Sequence, residues 1–446
     1  MNRDTPEFAA FLSVELTPRN RGRLELILYY HFGLAQKAEI AALLDLILEN
    51  DHRAAARITA SGTDACYLAA LTALATNARL GDGAGVLQQH NRLQGIDERH
   101  DFIHANRDQR DWSLIRCINF LYRWNTRPAR KIAIVTSIRN EGINLLEWIA
   151  HHRALGVDDF IIYANDNDDG SSDLLALLAR HGIIHLIWNR VDLPKDGSVD
   201  MFPIQAKAFG HATEFLAESL DFEWLLFIDV DEFLVTRPVL EAPLTARPLD
   251  DLFARVAAMP AVPAAIAFNW KFFTSEGQFR RAPGLNFERF TQACGDHHVK
   301  TCVRSRHCTS FHTSHMPRLI PGDIVLNGAL EPVAEYSFQM PVTFVHGQIN
   351  HYFSKSFEEF VAKHLRVWGE KRLSEFFTVA DNLLRKPEEP VPPAWIARVN
   401  DEIARLQNLP GVPPESEKIE AAYAALLARF DRQYGIEAQY RRWLPQ

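Results

Sequence analysis

"KIAIVTSIRNEGINLLEWIAHHRALGVDDFIIYAN", residues 131–165, decides the fold. Residues 131–138 are short, apolar and β-branched, as a buried strand requires, and "RNEG" closes the run. In the segment that follows, Leu145, Leu146, Ile149, His152 and Leu155 share one helical face. "DFIIYAN" then reads as a second strand. The unit repeats downstream: "SSDLLALLARHG" reads as a capped helix ending at Gly182 and "IIHLIWN" as a strand. "FPIQAKAFGHATEFLAESL" is a helix feeding the strand "EWLLFI". Strands alternating with crossover helices imply an α/β fold, with a mostly parallel sheet covered on both faces.

The flanks have a different texture. From about Pro6 to Arg123 the chain is rich in Leu and Ala at three- and four-residue spacings, with no repeat, and reads as an accessory helical domain. After Val235 the order loosens: "RPLDDLFARVAAM" reads as a helix and "AAIAFNWKFF" as a strand. A loop-rich stretch through about Phe344 follows. Helices resume at "FEEFVAKHLRVWGEKRL", break at the linker-like "RKPEEPVPPAW" and continue to the end. The expected division is residues 1–128 helical, 129–355 α/β and 356–446 helical.

Composition narrows the function. Acids exceed bases by 56 to 48, a net charge of −8, so no global basic field recommends nucleic acid as partner. No signal-like h-region and no apolar run of roughly 18 residues appears, so a soluble cytoplasmic protein is expected, with peripheral membrane association left open. Cys66, Cys117, Cys294, Cys302 and Cys308 are odd in number and sparse, unlike a secreted disulfide framework. Oligomeric state is not legible.

Two acidic clusters stand at expected strand ends, where ligands bind in parallel α/β sheets. In "WLLFIDVDEFLV", residues 224–235, Asp229, Asp231 and Glu232 interrupt an apolar run. An Asp-x-Asp on such a support repels itself unless a divalent cation sits between it and a phosphate. In "NDNDDGSSD", residues 165–173, Ser171 or Ser172 is expected to cap the next helix, leaving Asp166 for a ribose or a base edge.

Taken in order, "IVTSIRNEGINLLEWIAHHRALGVDDFIIYANDNDDGSSDLLALL", "QAKAF", "WLLFIDVDEFLV" and "INHYFSKSFEEFVAKH" resemble the glycosyltransferase family 2-like proteins of bacteria, and among them the branch related to family 92. The resemblance runs over roughly residues 131–363. It implies a GT-A fold, a nucleotide-sugar donor (UDP-linked by expectation), a glycan or other hydroxyl acceptor, and Mn2+ or Mg2+ at the Asp-x-Asp. It further implies that Thr136, Arg139, Asn140 and Glu141 line the nucleotide pocket and that Asp166 meets the nucleoside. Asp231 would be the direct metal ligand, Asp229 would face the ribose or a metal-bound water, and Glu232 would support the pair. Many such enzymes add a late histidine to the metal shell. His351 is preferred, His315 is the alternative, and His346 is read as structural on a strand.

Other readings compete. "CGDHHVKTCVRSRHCTSFHTSH" invites a zinc site, but its spacing is poor and buried free thiols fit better. Lys300 there could meet a donor phosphate. Inverting transfer needs a general base, and Asp296, then Glu288, are the candidates, because the Glu-Asp motif of other family 2 enzymes is not evident. A sugar nucleotidyltransferase would carry a Gly-rich loop where "SIRNEG" stands, and an inactive scaffold would not keep both Asp229 and Asp231. Cell-surface polysaccharide assembly is the expectation at family level. Donor sugar, acceptor and linkage are not readable.

Overall fold

The structure, a computed structural model, describes residues 130–188, 202–213, 222–241, 244–311, 313–319, 322–334, 336–338, 340–368, 386–388 and 390–443. The helical expectation for residues 1–128 lies outside them. The alternation read from the sequence is present: β1 (Arg130–Ile138), α1 (Gly142–Leu155), β2 (Asp159–Ala164), α2 (Ser171–Arg180), β3 (His185–Trp188), α3 (Phe202–His211) and β4 (Phe222–Phe227). There follow β5 (Glu232–Thr236), α4 (Pro248–Ala257), β6 (Ala265–Phe273), the short α5 (Asn286–Arg289), β7 (Gln292–Arg304), β8 (Cys308–Phe311), β9 (Pro317–Leu319), β10 (Val325–Leu326) and β11 (Gly347–His351). The chain closes with α6 (Phe357–Trp368), β12 (Lys386–Pro387), α7 (Pro393–Gln407), α8 (Val412–Tyr434) and α9 (Ile436–Trp443).

One ten-stranded sheet organises the molecule in the order β3-β2-β1-β4-β7-β6-β11-β5, with β10 on β6 and β12 on β7. Its first four strands are parallel. β7 runs antiparallel to both β4 and β6, β11 is parallel to β6, and β5 is antiparallel to β11. The carboxyl ends of β1, β2, β4, β6 and β11 therefore share one edge. β2 is buried at every position, as a strand covered on both faces must be. α1 ends at Gly156, whose φ of 113° lets its N–H reach the His152 and Arg153 carbonyls. Trp395, Val399 and Ile419 of α7 and α8 join the same core as Trp148 of α1 and Phe160 of β2.

The acids stand at a strand end, as expected: β4 ends at Phe227, Asp229 and Asp231 occupy the turn that follows, and Glu232 opens β5, which lies at the far end of the sheet order. Three expectations are corrected. The stretch read as loop holds the thirteen-residue β7, and the proline-rich linker contributes β12, which pairs with Ala293 and Gln292. The serines do not cap α2. Asp169 does that work, accepting the Ser171 N–H and hydroxyl on one oxygen and the Gly142 N–H on the other.

β11 carries a steric requirement at its first residue. A Cβ on Gly347 would stand 2.5 Å from Cε1 of Phe268, a fully buried ring. Gly347→Ala is therefore expected to destabilise the protein by about 1–3 kcal/mol through overpacking. The check is a lower urea midpoint at unchanged slope.

Candidate active site

Two loops build one side of the site. After β1, Asn140 adopts a left-handed backbone (φ 59°), tolerable for Asn. Its N–H donates to the Asn167 side chain at 2.7 Å, and its own Oδ1 accepts the Asp168 N–H at 2.8 Å, so the loops after β1 and β2 are clasped. Glu141, buried at the start of α1, accepts from Asn144 and from Lys363. Arg139 is half-buried, with Nε unpartnered among the described residues. Thr136 lies wholly buried within β1 with its hydroxyl unpartnered, so it sits beneath the edge instead of on it. Asp166, exposed, stands just beyond β2 at φ 43°.

The acid turn is anchored from three directions. The Trp148 indole of α1 donates to the Glu232 carbonyl, the Tyr352 N–H beyond β11 donates to the Asp231 carbonyl, and the Asp229 N–H donates to the Glu232 carboxylate at 2.8 Å. Glu232 is fully buried, with Oε1 unpartnered, and burial pushes its carboxyl up to about 7. It supports the turn from within. Asp229, one-third exposed, accepts from Gln205 of α3 and from Lys300 of β7, both at 3.0 Å. Lys300 is buried between Asp229 and Glu232, at 3.0 and 3.2 Å, and these carboxylates outweigh burial to hold its ammonium above the ordinary lysine range.

Asp231 is buried and accepts from Lys363 of α6 at 2.6 Å, while its Oδ1 has no partner. Burial alone would raise this carboxyl, but Lys363, and after it His351, hold it well below the usual carboxylate range. Lys363 also reaches Glu141 at 2.9 Å. α6 is aimed by a capping box: the Ser356 N–H and hydroxyl donate to Glu359, whose own N–H returns to the Ser356 hydroxyl. Just before it stands Lys355, buried, with a left-handed backbone (φ 48°) and an ammonium lowered by burial. Glu359, Glu141 and Asp231 act on it electrostatically, yet it forms no ion pair with any described residue. A buried cation on a strained backbone is the pattern of a functional position.

His351 ends β11, opposite Glu232 in register, with Nε2 3.7 Å from Asp231. Its ring lies 4.2 Å from Trp270 of β6. The His315 ring also packs against Trp270, at 5.1 Å, but makes no ion pair with Asp231 among the described residues: its Nδ1 bonds the Val299 carbonyl, and burial, then Lys300, pull its pKa down to about 2. His346 precedes β11, half-buried, and is not on a strand. Asp296 lies on β7 bound to His298, whereas Glu288 is exposed and accepts the Leu285 N–H at the start of α5. Cys294, Cys302 and Cys308 are free thiols, without zinc-type clustering among the described residues.

The implied metal can be tested against these donors. Among the described residues no three His, Cys, Asp or Glu side chains converge on one point. Asp231 and His351 do fit as a pair, because 3.7 Å between ligand atoms is compatible with bonds of about 2.0–2.2 Å to one ion, and the unpartnered Asp231 Oδ1 is a further donor. Magnesium-type ions use one or two protein carboxylates and take the rest from water and phosphate. Asp229, held by Lys300 and Gln205, is the less available acid.

Lys355, Lys363, Trp270 and His298 were not singled out from the sequence. The lysines did leave a signal: Lys355, Glu359 and Lys363 recur at four-residue spacing, a charged helix face leading out of "NHYF". A cavity of about 340 Å3 beside β11 is not at the acids. It lies along Lys271, Phe273, Gln348, Asn350 and Tyr352, whose side chains alternate with those of Trp270, Phe272 and His351.

Among the described residues no helix is long and apolar enough to cross a membrane. A profile of glycosyltransferase family 92 matches residues 140–377, just over half of the 446-residue chain. A glycosyltransferase family 92 protein of Oryza sativa subsp. japonica is 32% identical over 110 residues, 24% of this chain and 17% of its own length. One from Ricinus communis is 32% identical over 105 residues, 23% of this chain and again 17% of the relative. The matched region is thus a small part of these curated relatives. Of solved structures, TarS (residues 1–349) of S. aureus aligns over 68% of this chain and 91% of its own, at 11% identity and TM-score 0.27. A thymidylyltransferase-like protein of Bacillus anthracis aligns over 40% and 72%, at 11% identity and TM-score 0.22. Both structural likenesses are too distant to bear on function.

Proposed function

The chain belongs to glycosyltransferase family 92, and from that premise we propose that it moves a sugar from a nucleotide-sugar donor to a hydroxyl acceptor, with inversion, at the edge where Asp229, Asp231, Lys355 and His351 meet. The observation that carries this reading is Lys355, a buried ammonium beside Asp231 with no ion-pair partner among the described residues. A leaving diphosphate supplies the anion it lacks. Arg139, the Asn140 loop and Asp166 receive the nucleoside, while Lys355 and Lys363 take the diphosphate oxygens by charge-assisted hydrogen bonds. Asp229 and Lys300 orient the ribose side. A divalent cation, held by Asp231 and His351, would add charge neutralisation at the departing diphosphate. The buried edge keeps these charges out of water, where they are strongest.

The test is calorimetric. The wild type is expected to bind UDP or GDP far more tightly than the free nucleoside. Lys355→Met should lower the diphosphate affinity by about 10- to 100-fold, the worth of a charged hydrogen bond, and leave nucleoside affinity unchanged. Equal diphosphate affinity in the variant would remove the assignment.

A further inference from the structure

Sugar transfer needs an acceptor-side base, and the structure places one where the register of the sheet breaks. β6 and β7 pair as Asn269 with Val299 and next as Lys271 with Gly295, so Trp270 alone faces Asp296, His297 and His298. Bulges of this kind re-aim side chains and gather next to active sites. Here the bulge brings Asp296 Oδ1 to 2.5 Å from His298 Nδ1, with the same oxygen accepting the His298 N–H at 2.8 Å. The His298 ring stacks on Trp270, centroids 4.8 Å apart and planes at 24°. Trp270 in turn lies 4.2 Å from His351, which is 3.7 Å from Asp231.

We propose that His298 is the general base that takes the acceptor hydroxyl proton, with Asp296 as its positioning residue and Trp270 as the floor on which the acceptor sugar rests. The inference rests on the glycosyltransferase reading of the acid edge. Asp296 accepts from Nδ1–H and so sets the tautomer in which Nε2 carries the lone pair. No described residue takes up Nε2, and the side chain is 49% exposed. In the reaction the acceptor O–H gives its proton to Nε2 while its oxygen bonds the anomeric carbon. The bond from that carbon to the diphosphate breaks, and the electron pair leaves with the diphosphate. Asp296 stabilises the imidazolium. The other titratable groups facing His298 are His297 beside it and His315, whose ring is 5.5 Å away, with Lys300 and His351 beyond them. The Phe338 ring lies 5.1 Å from that of His298.

The experiment follows release of UDP or GDP from a panel of UDP- and GDP-linked hexoses, with water as acceptor, across the pH range. UDP and GDP binding is measured on each protein. His298→Ala should lose at least about 100-fold in rate, the usual contribution of a general base, with nucleotide affinity within twofold of the wild type. Added imidazole should restore part of the rate. Asp296→Asn should lose about tenfold and Asp296→Glu should keep part of the rate, because the amide no longer offers the carboxylate that accepts from Nδ1–H and holds the tautomer. A full rate in His298→Ala overturns the assignment. So does a loss that imidazole does not repair, combined with equal losses in Asp296→Asn and Asp296→Glu. A wild type that binds neither nucleotide overturns the glycosyltransferase reading itself, and the base with it.

Discussion

Asp231→Asn is expected to lower sugar transfer by about a thousandfold while the protein stays folded, in the range seen when one preorganised charge-stabilising group is removed. The substitution keeps shape and removes charge at the point where Lys363 (2.6 Å) and His351 (3.7 Å) converge. An amide cannot balance the ammonium of Lys363, and it is a poor partner for a divalent cation. Folding should suffer little, since Lys363 is one-third exposed and keeps Glu141 at 2.9 Å. The cost should therefore stay below the ~3–5 kcal/mol of stranding a fully buried charge. Turnover of a nucleotide-sugar and the thermal midpoint, measured on the same preparation, decide it. A variant that keeps its turnover would remove Asp231 from the site. One that loses turnover only because it has unfolded would make the residue structural.

The parallel half of the sheet is legible because its signals are local: the β-branched run of β1, the helix face of α1 and the apolar run of β2 each declare themselves within about ten residues. β7 was not legible. Its burial alternates irregularly around the bulge opposite Trp270, and no period of two survives to be counted. The acids were read correctly as standing at a strand end. What the sequence could not show is that Lys300 and Lys363 reach them from 71 and 132 residues away, because ion pairs between distant elements leave no spacing to recognise. Asp296 is legible as an acid, but its partner His298 lies within a run that reads as a poor zinc motif. The short i to i+2 step on one strand face was the available signal.

The second large effect concerns the support of α6. Arg289 of α5 and Glu359 of α6 form a buried two-pronged pair, Arg289 Nη1 lying 3.1 Å from Glu359 Oε1 and Nη2 meeting Oε2. Both side chains are at most 5% exposed, so removing Arg289 leaves Glu359 charged, with the Ser356 N–H and hydroxyl and, 3.9 Å away, Arg281 Nε to offset it. Arg289→Met should cost about 3–5 kcal/mol, the usual penalty for stranding a buried charge. Ser356 still donates to Glu359, which keeps the loss toward the lower end. Burial raises the Glu359 carboxyl, but Arg289 more than offsets this, leaving its pKa below the ordinary 4.5. The stability it contributes is therefore present above about pH 4.5 and lost as pH falls through its folded value. In Arg289→Met the stranded carboxylate is relieved by protonation, so the gap between wild type and variant in urea unfolding should be widest at neutral pH and close as the solution is acidified. Arg289→Met with Glu359→Leu should recover much of the loss, since an apolar pair replaces a buried ionic one at little cost. It should not recover activity in full, because the Ser356–Glu359 capping box that aims Lys355 and Lys363 is then gone. A gap independent of pH would mean that Arg289 acts through packing instead of charge.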